Sequence, residues 1–299
     1  MSRNAQSISG EIEKKGTQKK HLGITASRRL SKTVIYILLI LLSVIFIIPF
    51  VWLVSSSLKT NADIFVTPPK WIPDPPVWKN YPDVIHAVPF WNFVLNSLKI
   101  GGFVLIGHVF SSALVAYGFA RLNAPGKNIL FLLLLATMML PGQVTMIPMY
   151  VMFSKVGWVN THLPLIVPAF AGSAFYIFLM RQFFAGIPVS LDEAAKIDGA
   201  SHFKIFWKII LPMSKPVLIT VALFSFVGSW NDFMGPLIYL NSVEKFTMGI
   251  GLNMFKGQFT QNWNYTMAFN VMMILPILLI FFFAQKKFIQ GIVITGVKG

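Results

Sequence analysis

The chain has 299 residues, of which 55% are hydrophobic and only 12% are charged, and its mean hydropathy is +0.68. A soluble domain carries roughly 25% charged residues, so this chain lacks the polar groups to cover a globular surface in water. A spanning helix needs about 20 mostly apolar residues, and several such runs are present. The composition therefore predicts an all-α protein that crosses a membrane several times.

The absence of cysteine excludes a disulfide framework, a thiolate nucleophile and a Cys-ligated metal. The first 32 residues are polar and basic, unlike a cleavable signal peptide with an early apolar region. We therefore interpret the first apolar run as a retained helix. We predict no catalytic residue, no metal site and no cofactor in this chain.

Six apolar runs divide the chain into spans and connecting segments. The predicted spans are Thr33–Ser55, Leu98–Ala120, Ile129–Phe153, Leu163–Met180, Val217–Leu240 and Met267–Ala284. The predicted organisation is an N-terminal tail (1–32), a first helix (33–55), an external loop (56–97), a core of five helices (98–284) and a C-terminal tail (285–299).

The positive charges lie mostly on one side of these six spans. Residues 1–32, 121–128, 181–216 and 285–299 hold 18 of the 25 Lys and Arg residues, the opposite segments hold six, and Lys99 lies at the edge of a span. Cytoplasmic segments of membrane proteins are enriched in Lys and Arg, so both termini are predicted to be cytoplasmic. Since these charges are dispersed over several segments, we predict no nucleic-acid binding.

The third span is interrupted by Pro141-Gly142-Gln143 and then by Pro148. Broken backbone at membrane depth is tolerated only where protein or a water-filled cavity satisfies its polar groups. The sequence leaves two interpretations open. One is a simple proline kink, and the other is a break that lines a translocation pathway and includes Gln143.

Polar residues also occur within the second and fifth spans. Ser225, Gly228 and Asp232 lie at helical spacing on one face of the fifth span, with Asn231 adjacent. These residues either line a hydrophilic path or hold helices together by hydrogen bonds. In the second span, His108 is either a neutral histidine bonded to a neighbouring helix or part of a proton relay.

The segment 181–216, between the fourth and fifth spans, contains two predicted helices. Ser190 and Glu193 have the spacing of a capping box, which predicts a helix that starts near Leu191. Ala194 and Ala195 give this helix a small-residue face, and Gly199 ends it with the backbone freedom that a sharp turn requires. An amphipathic helix follows. The pair is either a docking element for another protein or packs against the protein's own helices.

The same segment resembles the EAA loop, E-A-A-x3-G-x9-I-x-L-P, of permease subunits of binding-protein-dependent ATP-binding-cassette importers. Every position of this pattern is present: Glu193, Ala194, Ala195, Gly199, Ile209, Leu211 and Pro212, with Asp198 beside the glycine. The flanks Met139–Tyr150, Gly157–Thr161 and Ser229–Leu237 resemble the carbohydrate-uptake branch, the maltose-permease type. The resemblance covers nearly the whole chain after residue 30.

The resemblance implies a type I importer permease with six transmembrane helices and a methionine-importer-like core. It also implies that the protein lies in a bacterial cytoplasmic membrane, in contact with lipid. It implies a second homologous permease, two ATPase subunits that carry ATP and Mg²⁺, and an extracytoplasmic solute-binding protein as partners. The EAA loop (residues 181–216) would dock the ATPase, with Glu193 in a charged contact. Direct binding of ATP is not expected here, because the only Gly-Lys pair, Gly126-Lys127, lies outside any phosphate-binding motif.

Two other classes of function fit the sequence less well. A self-sufficient secondary transporter of a small polar solute usually has intramembrane ionisable groups and inverted repeats. Here only His108 and Asp232 meet the first criterion, and no repeat is evident. An intramembrane enzyme would need paired carboxylates, a metal-spaced His pair or a reactive Cys, and the spans contain none of these.

The charge asymmetry predicts the side of the membrane on which each loop lies. Single cysteines introduced at Pro75 and Pro125 of this cysteine-free chain should be labelled by a membrane-impermeant thiol reagent from the outside and the inside, respectively. Labelling of intact and permeabilised cells distinguishes the two sides. An inside location for Pro75 would refute the six-span topology.

Overall fold

The computed structural model describes residues 31–255 and 262–296 of the chain. Over these residues every regular element is a helix, which agrees with the predicted all-α fold. Nearly all of the predicted tail 1–32 lies outside the described residues. The chain divides into two compact units, Met1–Ser55 and Ser56–Gly299.

The first unit contains most of helix α1, Ser31–Ser57. Its side chains are exposed from Ser31 to Val51, and nearly all of those after Thr33 are apolar. An exposed apolar surface over this length suits contact with lipid, since a span needs about 20 residues. The helix matches the predicted first span, with two further residues at each end.

The second unit contains the remaining helices. They are α2 (Asn80–Ala87), α3 (Phe90–Arg121), α4 (Lys127–Thr137), α5 (Gly142–Lys155), α6 (Leu163–Ile166), α7 (Ala174–Ala185), α8 (Ser190–Ile197), α9 (His202–Ile205), α10 (Leu211–Met213), α11 (Lys215–Trp230), α12 (Met234–Tyr239), α13 (Met248–Gly251) and α14 (Trp263–Gly296). Short 3₁₀ turns occur at Ala62–Ile64, Val167–Ala171, Val243–Lys245 and Leu252–Phe255, and a π-helical turn at Phe206–Ile210 joins α9 to α10.

Within the described residues, four helical segments are long and apolar enough to cross a membrane. These segments are Ser31–Ser57, Phe90–Arg121, Leu163–Ala185 and Trp263–Phe283. Two bent helix pairs bring the number to six if each pair is one span. The six predicted runs are therefore mostly helical, although the third, fourth and fifth are each divided, the fourth into α6, a 3₁₀ turn and the first part of α7.

Helix α3 is longer than its predicted span, Leu98–Ala120. It begins directly after Pro89, eight residues before Leu98, and its 32 residues measure about 48 Å at 1.5 Å per residue. The predicted loop 56–97 therefore also contains α2 and the first turns of α3. The predicted start was too late because the polar residues Asn92, Asn96 and Ser97 interrupt the apolar run without interrupting the helix.

The predicted span Ile129–Phe153 consists of two helices, α4 and α5, whose axes differ by 94°. The break occurs at the predicted position. Pro141 has extended backbone (φ −64°, ψ 135°) and α5 starts at Gly142. Pro148 lies inside α5 without ending it.

The predicted span Val217–Leu240 is wrong as a single helix. Helix α11 ends at Trp230, and the chain turns before α12 begins at Met234. The Asp232 carboxylate accepts a hydrogen bond from the Gly235 N–H (3.1 Å), which favours a new helix start over continuation of α11. At its other end, α11 forms a bent pair of 79° with the helical segment His202–Met213.

The last helix is also longer than predicted. Helix α14 extends from Trp263 to Gly296, whereas the sequence predicts a span at Met267–Ala284. Most of the predicted tail 285–299 is therefore helical, and residues 297–299 lie outside the described part of the chain.

The two ends of helix α3 pack into two different hydrophobic clusters. The C-terminal half of α3 packs with α7, α8 and the start of α11 in a cluster that includes Met180, Phe184 and Ile210. Its N-terminal end packs with α2, α13 and α14 in a cluster that includes Phe93 and Phe269.

Gly107 allows the close approach of α3 to the turn Val167–Ala171. A Cβ atom at Gly107 would lie 2.9 Å from Cδ2 of Phe170 and 3.1 Å from the backbone carbon of Ala169. Small residues at such contacts let backbones pack closely in membrane proteins. Gly102, on the same helix, has no heavy atom within 4 Å of an added Cβ.

Gly107→Ala should lower the free energy of unfolding by about 1–3 kcal/mol, because the added methyl group overpacks a filled contact. The measurement is thermal unfolding of the detergent-solubilised protein. Gly102→Ala is the matched control and should leave the melting temperature unchanged or raise it. Equal melting temperatures for the two variants would contradict the close contact at Gly107.

Candidate functional site

The EAA loop forms a helix, a glycine turn and a second helical segment, as its sequence predicts. Gly199 has φ +75° and its N–H bonds to the Lys196 carbonyl (3.0 Å), while the Ala200 N–H bonds to the Ala195 carbonyl (2.9 Å). A positive φ at this position favours glycine. Gly199 therefore closes the turn between α8 and α9, and it has open space around it.

The predicted capping box at Ser190 and Glu193 is not present. Helix α8 begins at Ser190 with no side-chain cap. The N–H groups of Asp192 and Glu193 instead bond to the Val189 carbonyl (2.9 and 3.1 Å). A side-chain cap occurs at the second helix, where the Ser201 hydroxyl accepts from the Lys204 N–H (3.3 Å). A Ser directly before a helix is a preferred N-cap, so the cap at Ser201 could have been predicted from the sequence.

The two alanines of the motif face in different directions. Ala194 is exposed, but Ala195 is buried in the cluster with Tyr117 and Phe184. The small-residue face that the sequence predicts is therefore divided, with Ala194 exposed and Ala195 packed against the protein's own helices. The small side chain of Ala195 lets α8 pack closely on the protein's own helices, as one of the two interpretations of this loop predicts.

The other motif residues surround this packed side. Glu193, Asp198, Gly199 and Pro212 are exposed, whereas Ile209 and Leu211 are half-buried against the same cluster. Pro212 lacks the N–H that would bond to the Lys208 carbonyl in a regular α-helix, and the preceding turn, Phe206–Ile210, is π-helical. Ile209 and Leu211 thus pack the loop against this cluster, and the I-x-L-P segment bends the chain toward α11.

A buried ion pair that the sequence analysis missed holds α8 to the end of α3. The Arg121 Nε atom lies 3.5 Å from Oδ2 of Asp192, and these side chains are only 3% and 8% exposed. Arg121 also donates from Nη2 to the Ile187 carbonyl (2.7 Å). Charged residues are almost never fully buried unless they are paired. The two residues are 71 positions apart, so spacing alone does not indicate the pair.

A cavity of about 290 Å³ lies between α3, α7, α11 and α12. It is lined by Ile100, Val104, His108, Leu165, Tyr176, Ser225, Gly228, Ser229, Asp232, Pro236 and Thr247. The predicted pathway residues Ser225, Gly228 and Asp232 are therefore brought together here, even though Asp232 lies beyond the end of α11.

The cavity places His108 beside polar and aromatic groups. His108 Nδ1 and Ser225 Oγ are 2.8 Å apart in a hydrogen bond, and the rings of His108 and Tyr176 form an edge contact (5.0 Å between centroids). A histidine bonded to a neighbouring helix was one of the two interpretations of His108. The wall thus offers hydroxyl, imidazole and carboxylate groups, which can hydrogen-bond to a polar solute.

The two other predicted pathway residues are not in the lining of this cavity. Asn231 is exposed, and its Nδ2 donates to the Val227 carbonyl of its own helix (3.0 Å). Gln143 is exposed on α5 and does not contribute to the cavity wall.

A second recess, of about 500 Å³, lies near the turn before α6. It is lined by Lys99, Phe103, Thr161, His162, Leu163, Ile166 and Lys245. His162 Nε2 bonds to the Lys245 carbonyl (3.0 Å), and burial lowers the pKa of His162 below its usual range. The imidazole is therefore neutral at pH 7, and the two lysines carry the positive charge of this recess.

Comparison with known proteins identifies relatives over most of the chain. A family described as the binding-protein-dependent transport system inner membrane component matches residues 109–294. The arabinooligosaccharides transport system permease protein AraQ of Bacillus subtilis (strain 168) is 33% identical over 262 residues, which cover 87% of this chain and 93% of AraQ. The probable starch degradation products transport system permease protein AmyC of Thermoanaerobacterium thermosulfurigenes is 34% identical over 260 residues, 87% of this chain and 94% of AmyC.

A solved structure has the same fold. A chain of a bacterial ABC transporter involved in the import of the acidic polysaccharide alginate superposes with a TM-score of 0.75 at 24% identity, over 87% of this chain and 97% of that chain. The predicted fold class is confirmed by this match. The chain belongs to the family of binding-protein-dependent transport system inner membrane components, as its resemblance to importer permeases predicts.

Proposed function

We propose that this chain is the transmembrane permease subunit of an ATP-driven importer of sugars or oligosaccharides. It forms half of the translocation pathway and docks an ATPase through the EAA loop. The relatives AraQ and AmyC are named for transport of arabinooligosaccharides and starch degradation products, which supports a carbohydrate substrate.

The observation that carries the docking role is the two-sided character of α8. Its inner side is fastened by Ala195 and by the buried Asp192, while Glu193, Ala194 and Ile197 are exposed on the other side. Ile197 is 87% exposed, an unusual position for a large apolar side chain next to a glycine turn. A rigidly held helix that presents an apolar side chain beside a carboxylate suits a protein partner, since interfaces combine apolar anchors with polar rims.

The partners and topology follow from this role. A second homologous permease completes the pathway, two ATPase subunits bind ATP and Mg²⁺, and an extracytoplasmic solute-binding protein delivers the substrate. Both termini lie in the cytoplasm of a bacterial cell, in agreement with the 18 positive charges of the predicted inner segments. The chain itself catalyses no reaction.

The cavity between α3, α7, α11 and α12 is the proposed wall of the pathway. Its polar groups include Ser225, Tyr176, Asp232 and Thr247, which can exchange hydrogen bonds with sugar hydroxyl groups. The surrounding wall of Ile100, Val104 and Leu165 is apolar, as is usual for sites that orient a ligand through a few polar groups.

Co-purification distinguishes this proposal from a self-sufficient secondary transporter. An importer permease should bring down an ATPase subunit and should transport only when ATP is hydrolysed. A secondary transporter would move its solute in proteoliposomes that contain this chain alone and would respond to an ion gradient.

Ile197→Asp should reduce the affinity for the ATPase about tenfold or more, because burial of an Ile side chain contributes about 1.5–3 kcal/mol and 1.4 kcal/mol is a factor of ten. The measurement is the amount of ATPase that co-purifies with the permease pair. Ile72→Asp is the matched control, since Ile72 is 81% exposed but lies in the predicted external loop. Retention of the ATPase by Ile197→Asp at the wild-type level would refute docking through this side of α8.

Ser229→Cys should react with a small water-soluble thiol reagent in the assembled complex, because Ser229 lines the cavity. Val221→Cys, two turns earlier on α11, should stay protected, since Val221 is fully buried. The chain has no native cysteine, so each label reports one position. Protection of Ser229→Cys in every nucleotide state would exclude this cavity from the water-accessible pathway.

A further inference from the structure

The Arg121–Asp192 ion pair joins the EAA loop to the helix that lines the cavity. Arg121 is the last residue of α3 and Asp192 is in the first turn of α8. The pair is nearly inaccessible to solvent, and the second contact from Arg121, to the Ile187 carbonyl, holds the chain just before α8. Arg121 therefore contacts both the first turn of α8 and the residues that precede this helix.

Tyr117 makes a second attachment one turn earlier on the same side of α3. Its hydroxyl donates to the His202 carbonyl at the start of α9 (3.1 Å), and its ring packs against Phe206 (5.2 Å between centroids). Residues at i and i+4 lie on one face of a helix. Tyr117 and Arg121 thus hold the two helices of the EAA loop from one helix end.

A buried ion pair is not needed for stability alone. The cost of removing two charges from water can exceed their attraction, and apolar residues of similar volume often stabilise as well. What the pair adds is a specific contact between α3 and α8, in which the Arg121 Nε atom and the Asp192 carboxylate face each other at 3.5 Å without a hydrogen bond from Nε. Loss of one partner leaves an uncompensated buried charge, so α8 has a strong preference for this one position on α3.

Helix α3 extends from this pair to the cavity. Its residues Ile100, Val104 and His108 contribute to the cavity wall, and the 13 residues from His108 to Arg121 span about 20 Å of continuous helix at 1.5 Å per residue. Coupling between distant sites is carried by rigid elements and by contacts with discrete arrangements. Helix α3 is therefore one continuous element between the ion pair and the cavity wall.

We propose that Arg121 and Asp192 are positioning residues that lock α8 to α3, so that the docking helix and the cavity wall move as one body. Tyr117 supports the same lock through α9. The proposal rests on the proposed function, since it assumes that α8 docks an ATPase. Without the lock, movement of the docked ATPase would displace α8 without moving α3.

The test uses the full complex in proteoliposomes and measures sugar transported per ATP hydrolysed. Asp192→Asn and Arg121→Gln should each lower this ratio about tenfold, within the range of coupling between two sites, while the ATPase stays bound and continues to hydrolyse ATP. The reversed pair, Arg121→Asp with Asp192→Arg, should recover part of the ratio. Asp63→Asn is the matched control, because it removes an exposed ion pair with Lys70 on the predicted outer side.

A purely structural role would change other quantities. It would lower the melting temperature and the yield of complex, but each assembled complex would transport at the wild-type ratio, and that result would overturn the proposal. If Asp192→Asn and Arg121→Gln do not assemble, Tyr117→Phe provides the measurement, since it keeps the buried ring and removes only the hydroxyl contact. A wild-type ratio for Tyr117→Phe in that case would also overturn the lock.

Measurements of ATPase binding and ATP-driven transport on the wild-type complex distinguish failure of this proposal from failure of the proposed function. If wild-type protein neither binds an ATPase nor transports sugar with ATP, the proposed function fails. If the wild type couples ATP hydrolysis to transport and Asp192→Asn couples equally well, only the lock fails.

Discussion

Close packing around α3 is the constraint on which the rest of the second unit depends. Apolar side chains gain little from association in lipid, so helices associate through tight contacts between small residues and through hydrogen bonds. Helix α3 has such residues along its buried side, among them Gly101, Gly107 and Ser112. At Gly107 the neighbouring backbone is too close for any larger residue without displacement. Both hydrophobic clusters and the polar cavity lie along this one helix.

Local features of the fold could be predicted from the sequence because they depend on neighbouring residues. The apolar runs predict helices, since an uninterrupted run of this length has few other stable forms in lipid. The break at Pro141 and the turn at Gly199 follow from the backbone preferences of proline and glycine, and both are present. The resemblance then assigned the loop around Gly199 to a family, and the relatives support that assignment over most of the chain.

Features that depend on tertiary contacts could not be predicted in the same way. The motif places Ala194 and Ala195 side by side, but only the packing of α8 decides which of them is buried. The pairing of Asp192 could not be predicted from spacing, because its partner Arg121 is 71 positions away in the sequence. The capping box failed for a related reason. The Val189 carbonyl already satisfies the first N–H groups of α8, so no side-chain cap is required.

The end of α11 and the position of Asp232 in the cavity have one physical cause. The chain turns after Trp230, and in this turn the Asp232 carboxylate accepts a hydrogen bond from the Gly235 N–H and lines the cavity. This turn needs space. A Cβ at Gly235 would lie 2.5 Å from Oδ2 of Asp232, and one at Gly249 would lie 2.5 Å from its carbonyl oxygen. Gly235, three residues after Asp232, and Gly249, 17 residues after it, therefore permit a turn in which the carboxylate both bonds to the Gly235 N–H and lines the cavity.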